Sequence, residues 1–264
     1  MEALTKELPM RFVDLSMPLD DVIPVDPPFL RPKIEYKDHI GGLKDMYAMY
    51  GIRPDQLLDQ QGLAAETVTM TTHAGTHVDA PWHYHPTMNN GERAWTIDEV
   101  PIDWFFRPGV KLDLRHLPSG HLVTPDDIDA ELDRIGYALQ PFDIVLANTV
   151  AAAAYGRDDY IDTGIGFGRE ATLHLTGQGV RVVGTDAWGW DLPIAANRKL
   201  FEETGDPSVV WEGHKAGAEV GYCQIEKLQN LEDLPASGFT VACFPAKVRG
   251  ASAGWTRAVA IFDE

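Results

Sequence analysis

Alternating apolar and polar positions mark a short strand at Arg11-Phe12-Val13-Asp14-Leu15-Ser16, near the start of the chain. Residues 19–62 carry no comparable pattern. Pro24, Pro27, Pro28 and Pro32 interrupt the first half, and Met46–Leu58 is only weakly helical. So long a stretch without firm elements is expected to serve as an arm, a lid or a subunit contact. Glu66–Thr72 alternates and is rich in β-branched residues, which predicts a strand running into His73. Val110–Leu114 and Phe142–Asn148 read as further strands. Thr124 followed by Pro125, Asp126 and Asp127 starts a helix, with a hydroxyl cap, a first-turn proline and acids at the positive end of the dipole. A second helix over about Arg169–Gln178 is closed by Gly179, and Val180–Gly184 returns as a strand. A third helix falls near Ala195–Glu203, followed by late strands at Phe239–Ala246 and Arg257–Phe262. Helices and strands interleave while the last strands lie close together. This predicts one α/β domain over residues 1–264, built on a mixed sheet.

Charge narrows the partners. The chain has 22 Lys and Arg against 40 Asp and Glu, a formal net charge of −18. Such a surface repels phosphate backbones and anionic lipid, which disfavours nucleic-acid and membrane partners. It leaves anionic small molecules open, because a bound dication reverses the local potential. Cys223 and Cys243 form no C-x-x-C pair and read as reduced thiols of an intracellular protein. The first nine residues mix charges of both signs and lack the apolar core of a secretion signal, so a cytoplasmic location is expected.

The chemistry concentrates in His73-Ala74-Gly75-Thr76-His77-Val78-Asp79-Ala80-Pro81-Trp82-His83. Four of the nine histidines (His73, His77, His83 and His85) fall between positions 73 and 85. A lone histidine is more often structural, but imidazole and carboxylate together are ligands suited to zinc or another divalent transition metal. On a straight strand His73 and His77 would lie about 13 Å apart, too far to share an ion. Gly75 and Pro81 oppose a regular helix, which would otherwise make them neighbours. A bend at Ala74-Gly75 resolves the conflict, with the strand ending in a tight loop where the ligands converge. Thr76 is expected to hold that loop by hydrogen bonds.

Other signals lead elsewhere. Gly164-Ile165-Gly166-Phe167-Gly168 imitates a dinucleotide fingerprint but has the wrong spacing and no strand feeding it, so a helix-capping loop is expected. Asp126, Asp127, Asp129, Glu131 and Asp133 read as a solvated helix face rather than a calcium loop. Asp186 reads as part of a turn at a strand end, and His85 as exposed. Trp82, Trp95 and Trp188 are candidates for an aromatic substrate pocket, against plain core packing for each.

His-x-Gly-Thr-His-x-Asp-x-Pro-x-His resembles the signature of the cyclase superfamily of metal-dependent hydrolases, which includes bacterial kynurenine formamidases, isatin hydrolases and some polyketide cyclases. The sequence carries it complete, and the likeness extends from about Val13 to Phe262 through Asp143–Leu146, Gly184-Thr185-Asp186 and Ile225–Leu231. The resemblance implies a barrel-like mixed sheet with flanking helices, of the swivelling β/β/α kind, and a homo-oligomer, dimer or tetramer. It implies His73, His77 and Asp79 as metal ligands, with His83 as general acid and base. His214 and Glu226 match the distant His and Glu of the formamidases, where two ions bind. Isatin hydrolases depart at the position matching Glu226, so its presence leans toward the formamidase arrangement. The expected function is hydrolysis of a C–N bond in a small amide, cyclic amide or N-formyl compound, with one or two divalent ions, zinc ahead of manganese. The alternatives are a polyketide-type cyclase or dehydratase, a lactone hydrolase, and a metal-containing binding protein without catalysis.

Overall fold

The computed structural model describes residues 10–23 and 25–263; Pro24 and the nine N-terminal residues read above for a secretion signal lie outside the described residues. Nine strands build one sheet: β1 (Met10–Asp14), β2 (His77–Asp79), β3 (Phe106–Asp113), β4 (Ile144–Asn148), β5 (Val182–Thr185), β6 (Cys223–Glu226), β7 (Phe239–Ala242), β8 (Ala253–Trp255) and β9 (Val259–Asp263). Their spatial order is β1-β9-β7-β3-β4-β5-β6-β2-β8. The block from β3 to β6 is parallel, and the pairings on both wings are antiparallel. The expected mixed α/β architecture is therefore present, curled into a half-barrel.

Among the described residues, six α-helices flank the sheet or extend from it: α1 (Leu43–Tyr50), α2 (Pro81–Tyr84), α3 (Pro125–Ile135), α4 (Arg169–Gly177), α5 (Ile194–Thr204) and α6 (Glu212–Ala216). Parallel neighbours need a crossover, and α3 and α4 provide it for β3–β4 and β4–β5. β4 is buried on both faces. Ile144 and Leu146 pack into the apolar cluster that holds Val78 and Ile225, while Val145 and Ala147 join Val110 and Leu112 on the other side.

Local chemistry sets the ends as expected. Thr124 Oγ1 accepts from Asp127 N at 3.2 Å, and Asp127 Oδ2 accepts from Thr124 N at 2.9 Å. The acidic face of α3 is not wholly solvated, however. Glu131 is buried and accepts from Asp113 N at 2.8 Å, anchoring the helix to β3. Gly166 supports a close approach rather than a phosphate: a Cβ there would lie 2.1 Å from Leu192 N.

The stretch before the histidine motif differs from expectation. Ala65–Thr69 is a strand, but it pairs with Lys33–Lys37 in a separate two-stranded ribbon and mostly faces solvent. The main sheet resumes only at His77. Within the 19–62 segment, none of the eight residues of α1 is buried against the described residues. Tyr47 and Tyr50 on α1, and Phe29 and Leu58 outside it, are exposed.

Asp186, just past β5, is buried and accepts from Thr149 N at 2.8 Å and Thr149 Oγ1 at 2.7 Å. Burial pushes its carboxyl up to about 7, and the two Thr149 bonds only partly oppose this. The folded state therefore holds this proton more tightly than the unfolded state does. Stability assigned to the group is full below about pH 4 and is lost as pH rises through about 7. Asp186→Asn keeps an acceptor for Thr149 and removes the ionisation. Relative to the parent, it is expected to gain about 2–3 kcal/mol between pH 5 and pH 8. Urea unfolding at both pH values checks this, and an offset that does not change with pH would contradict it.

Candidate metal centre

A bend places the motif. Gly75 has φ 62°, the left-handed conformation that glycine adopts without strain. Thr76 Oγ1 donates to Lys227 O at 2.7 Å and accepts from Met17 N at 3.0 Å, tying the loop to two other segments. The chain then enters β2, where strand alternation sends Val78 into the core and His77 and Asp79 to the opposite face. The antiparallel register with β6 sets Glu226 directly across from His77. Pro81 opens α2 after that strand, and one short turn brings His83 back over the carboxylate. His214 arrives from α6 on the far side.

Asp79 lies at the middle of this convergence. Its Oδ1 is 2.8 Å from His73 Nδ1 and 3.2 Å from His77 Nε2. Its Oδ2 is 4.0 Å from His83 Nε2 and 3.9 Å from His214 Nε2. Glu226 Oε2 is 3.4 Å from His77 Nε2, and its Oε1 is 3.8 Å from His214 Nε2. The predicted convergence is thus realised, though the ligand-type atoms come from a loop, two strands and two short helices rather than one loop. Donor atoms fall into two compact groups that share Asp79: His73, Asp79 and His83, and His77, Asp79 and Glu226.

Partners behind the donors fix which atoms face inward. Gly75 O accepts from His77 Nδ1 at 2.8 Å, so Nε2 is turned toward the carboxylates. Asp191 Oδ2 bonds His214 Nδ1, and Asp191 also accepts from Gly213 N at 2.7 Å and His214 N at 3.1 Å. Ser252 Oγ lies 3.0 Å from His73 Nε2. Trp190 N donates to Glu226 Oε1 at 3.3 Å. What remains is informative. His77 Nε2 and both oxygens of Asp79 are buried and, despite the close approaches of His73 and His77 to Asp79 Oδ1, make no well-aligned hydrogen bond among the described residues. Buried polar atoms left so are costly, and a divalent cation is the group that this donor chemistry would satisfy.

The electrostatics agree. Burial opposes charge on His77, yet Asp79 and Glu226 outweigh it and lift the imidazole to about 9. Burial also works against the Asp79 carboxylate, but His77 and His83 beside it hold its pKa well below the usual range. For His83 burial dominates and pushes the pKa down to about 4, leaving a neutral ring at pH 7. Two carboxylates side by side on a buried floor are a setting that attracts cations.

A cavity of about 560 Å³ opens onto this floor. His73, His83, His214 and Glu226 line its inner end, and Trp188, Leu192, Phe201 and Trp211 belong to its largely apolar walls. Of the three tryptophans expected near substrate, Trp188 lines the cavity. Trp82 and Trp95 do not; Trp82 is exposed, and Trp95 packs against Trp104 and the core. His85 is exposed, as expected. Sequence reasoning missed Asp191, Trp211 and Lys227. Trp211 stacks on His214 with ring centroids 4.7 Å apart. Its φ of 61° is rare for a bulky residue, but nothing in the sequence announces it.

Fold, cavity and donor set together define a candidate metal site beneath a largely apolar cavity. The chain belongs to the cyclase family, whose model, described as "Putative cyclase", matches residues 13–192. It is 28% identical over 202 residues to a kynurenine formamidase of Salinibacter ruber, covering 76% of this chain and 81% of that protein. Two isatin hydrolase A structures share the fold. The one from Labrenzia aggregata has a TM-score of 0.73 at 23% identity, covering 97% of this chain and 95% of the other. The one from Ralstonia solanacearum has a TM-score of 0.74 at 21% identity, covering 96% and 92%.

Proposed function

We propose that this protein hydrolyses a C–N bond in a small amide, cyclic amide or N-formyl compound, at a divalent cation held by His73, His77, Asp79, His214 and Glu226. One observation carries the reading: His77 Nε2 and the Asp79 oxygens, buried without well-aligned hydrogen bonds, converge beneath an apolar cavity lined by His73, His83, His214 and Glu226. Names of relatives support the reaction type, since kynurenine formamidase and isatin hydrolase both denote amide cleavage. Imidazole-rich donors favour zinc, with manganese second, and the two groups sharing Asp79 accommodate one ion or two.

When bound, the cation supplies a lowered pKa for water and polarisation of the substrate carbonyl. His83 does the proton work. Its ring lines the cavity, its side chain is 20% exposed, and neutral Nε2 can take a proton from attacking water and return it to the leaving nitrogen. The balance is amide plus water to carboxylic acid plus amine, with the proton passing through His83. Trp188 and Trp211 hold a planar substrate group and exclude bulk water. Asp191 keeps His214 in the tautomer that turns Nε2 inward. Asp191→Asn is expected to weaken zinc binding by about 10–100-fold, read by calorimetric titration; unchanged affinity would remove that role.

The reading as a whole is tested by supplying zinc or manganese and screening N-formyl-kynurenine, isatin and simple lactams in ¹⁸O water. Label in the acid product supports hydrolysis, whereas a ring-closed product without label marks a cyclase. Solvent-exposed apolar residues on the 19–62 segment fit a subunit contact in a homo-oligomer. Tyr47→Asp with Leu58→Asp should then lower the mass seen by sedimentation. Two buried, free cysteines fit a cytoplasmic setting. Among the described residues, no helix is long and apolar enough to cross a membrane.

A further inference from the structure

Lys227 follows the metal-facing Glu226 and is almost wholly buried, at 1% exposure. Its backbone takes φ 60°, an uncommon conformation for a side-chain-bearing residue that requires support from its surroundings. Nζ donates to Asp26 Oδ1 at 2.6 Å and to His73 O at 2.8 Å. Asp26, also buried, accepts on the same oxygen from Trp188 Nε1 at 2.9 Å. The Lys227 ammonium lies 5.1 Å from the centroid of the Trp188 ring. Behind it, Lys227 O accepts from Thr76 Oγ1 at 2.7 Å, and Lys227 N donates to Ala187 O at 3.0 Å.

These contacts join four pieces of the site that are distant in sequence. They are the loop carrying His73, the wall carrying Trp188, the segment around Asp26 and the end of β6 that presents Glu226. A surface lysine would make no such set. A buried ion pair brings little net stability, because desolvating two charges consumes most of the attraction, so its presence here asks for another reason. The contact to His73 O supplies one. The backbone of the outermost metal-facing histidine is held by this ammonium as well as by its local turn.

We propose that Lys227 is a positioning residue. Through its ammonium it fixes the His73 loop relative to Glu226, and Asp26 is the buried counter-charge that keeps the ammonium in place. Trp188, bonded to the same carboxylate, is thereby set as the cavity wall. The inference rests on the metal-site reading given above, and the parent titration keeps the two apart: a folded parent that takes up no zinc defeats the metal site itself.

The experiment pairs calorimetric zinc titration with thermal melting for the parent, for Asp26→Asn/Lys227→Met and for Lys227→Arg. Removing both charges of a buried pair leaves no lone charge, so the double variant is expected to melt close to the parent. It should nonetheless bind zinc at least 10-fold more weakly, because Met cannot hold His73 O. Lys227→Arg retains the charge pair but replaces a compact ammonium by a planar fork, and a several-fold loss of zinc affinity is expected. A purely structural lysine predicts the opposite, with zinc affinity following the melting temperature. Parent-like zinc affinity in whichever of the two variants folds would overturn the proposal.

Discussion

Asp79→Asn is expected to abolish zinc binding and to reduce amide hydrolysis at least about a thousandfold, the loss that removal of about 4 kcal/mol of transition-state stabilisation produces. Asp79 is the one residue common to both donor groups. Among the described residues, its oxygens are the only carboxylate atoms within 4.0 Å of His73, His77, His83 and His214 together. The amide cannot act as an anionic donor, and one of its two positions would present N–H groups toward inward-facing nitrogens. Asp79 is completely buried, so no water compensates. Calorimetric titration and single-turnover assays read the two effects. Variant protein that takes up zinc like the parent would show that the ion, if any, sits elsewhere.

His83→Ala is expected to separate chemistry from metal binding. It should leave zinc uptake within a few-fold of the parent and lower kcat by about 10²–10⁴, the usual worth of a general acid–base group. The distinction follows from placement. His77 and Asp79 are sealed beneath the cavity, whereas His83 stands on its wall, and its ring is 4.1 Å from the His73 ring and 5.3 Å from Trp211. The leaving nitrogen of a substrate in the cavity would take its proton from His83, whose ring lines that space. If zinc affinity collapsed along with kcat, His83 would belong to the ion's ligands instead, as its membership in one donor group allows.

How much of this was legible beforehand depends on distance along the chain. His73, His77, Asp79 and His83 were readable because their grouping is local and Gly75 supplies the bend that their spacing demands. Glu226 was not readable from physics alone: it meets His77 only through the register of β6 against β2, and a four-residue strand such as Cys223–Glu226 leaves too few positions to show a period. His214 came through family resemblance for the same reason. Asp191 and Lys227 act through bonds spanning 23 and 154 positions, to His214 and His73, which leave no trace in composition or spacing. Among the elements, α3 and α4 were clear from capping and glycine stops. The strand expected to run into His73 is present but ends at Thr69, and it pairs with Lys33–Lys37 apart from the main sheet. Alternation reports that a segment is extended, not which sheet it joins.

One measurement bears most directly on the central claim: zinc-dependent turnover of an N-formyl or cyclic amide by protein stripped with chelator and then reconstituted. The account predicts activity that disappears with the ion, returns on its addition, and does not return in Asp79→Asn. Equal hydrolysis by folded, ion-free protein would contradict it.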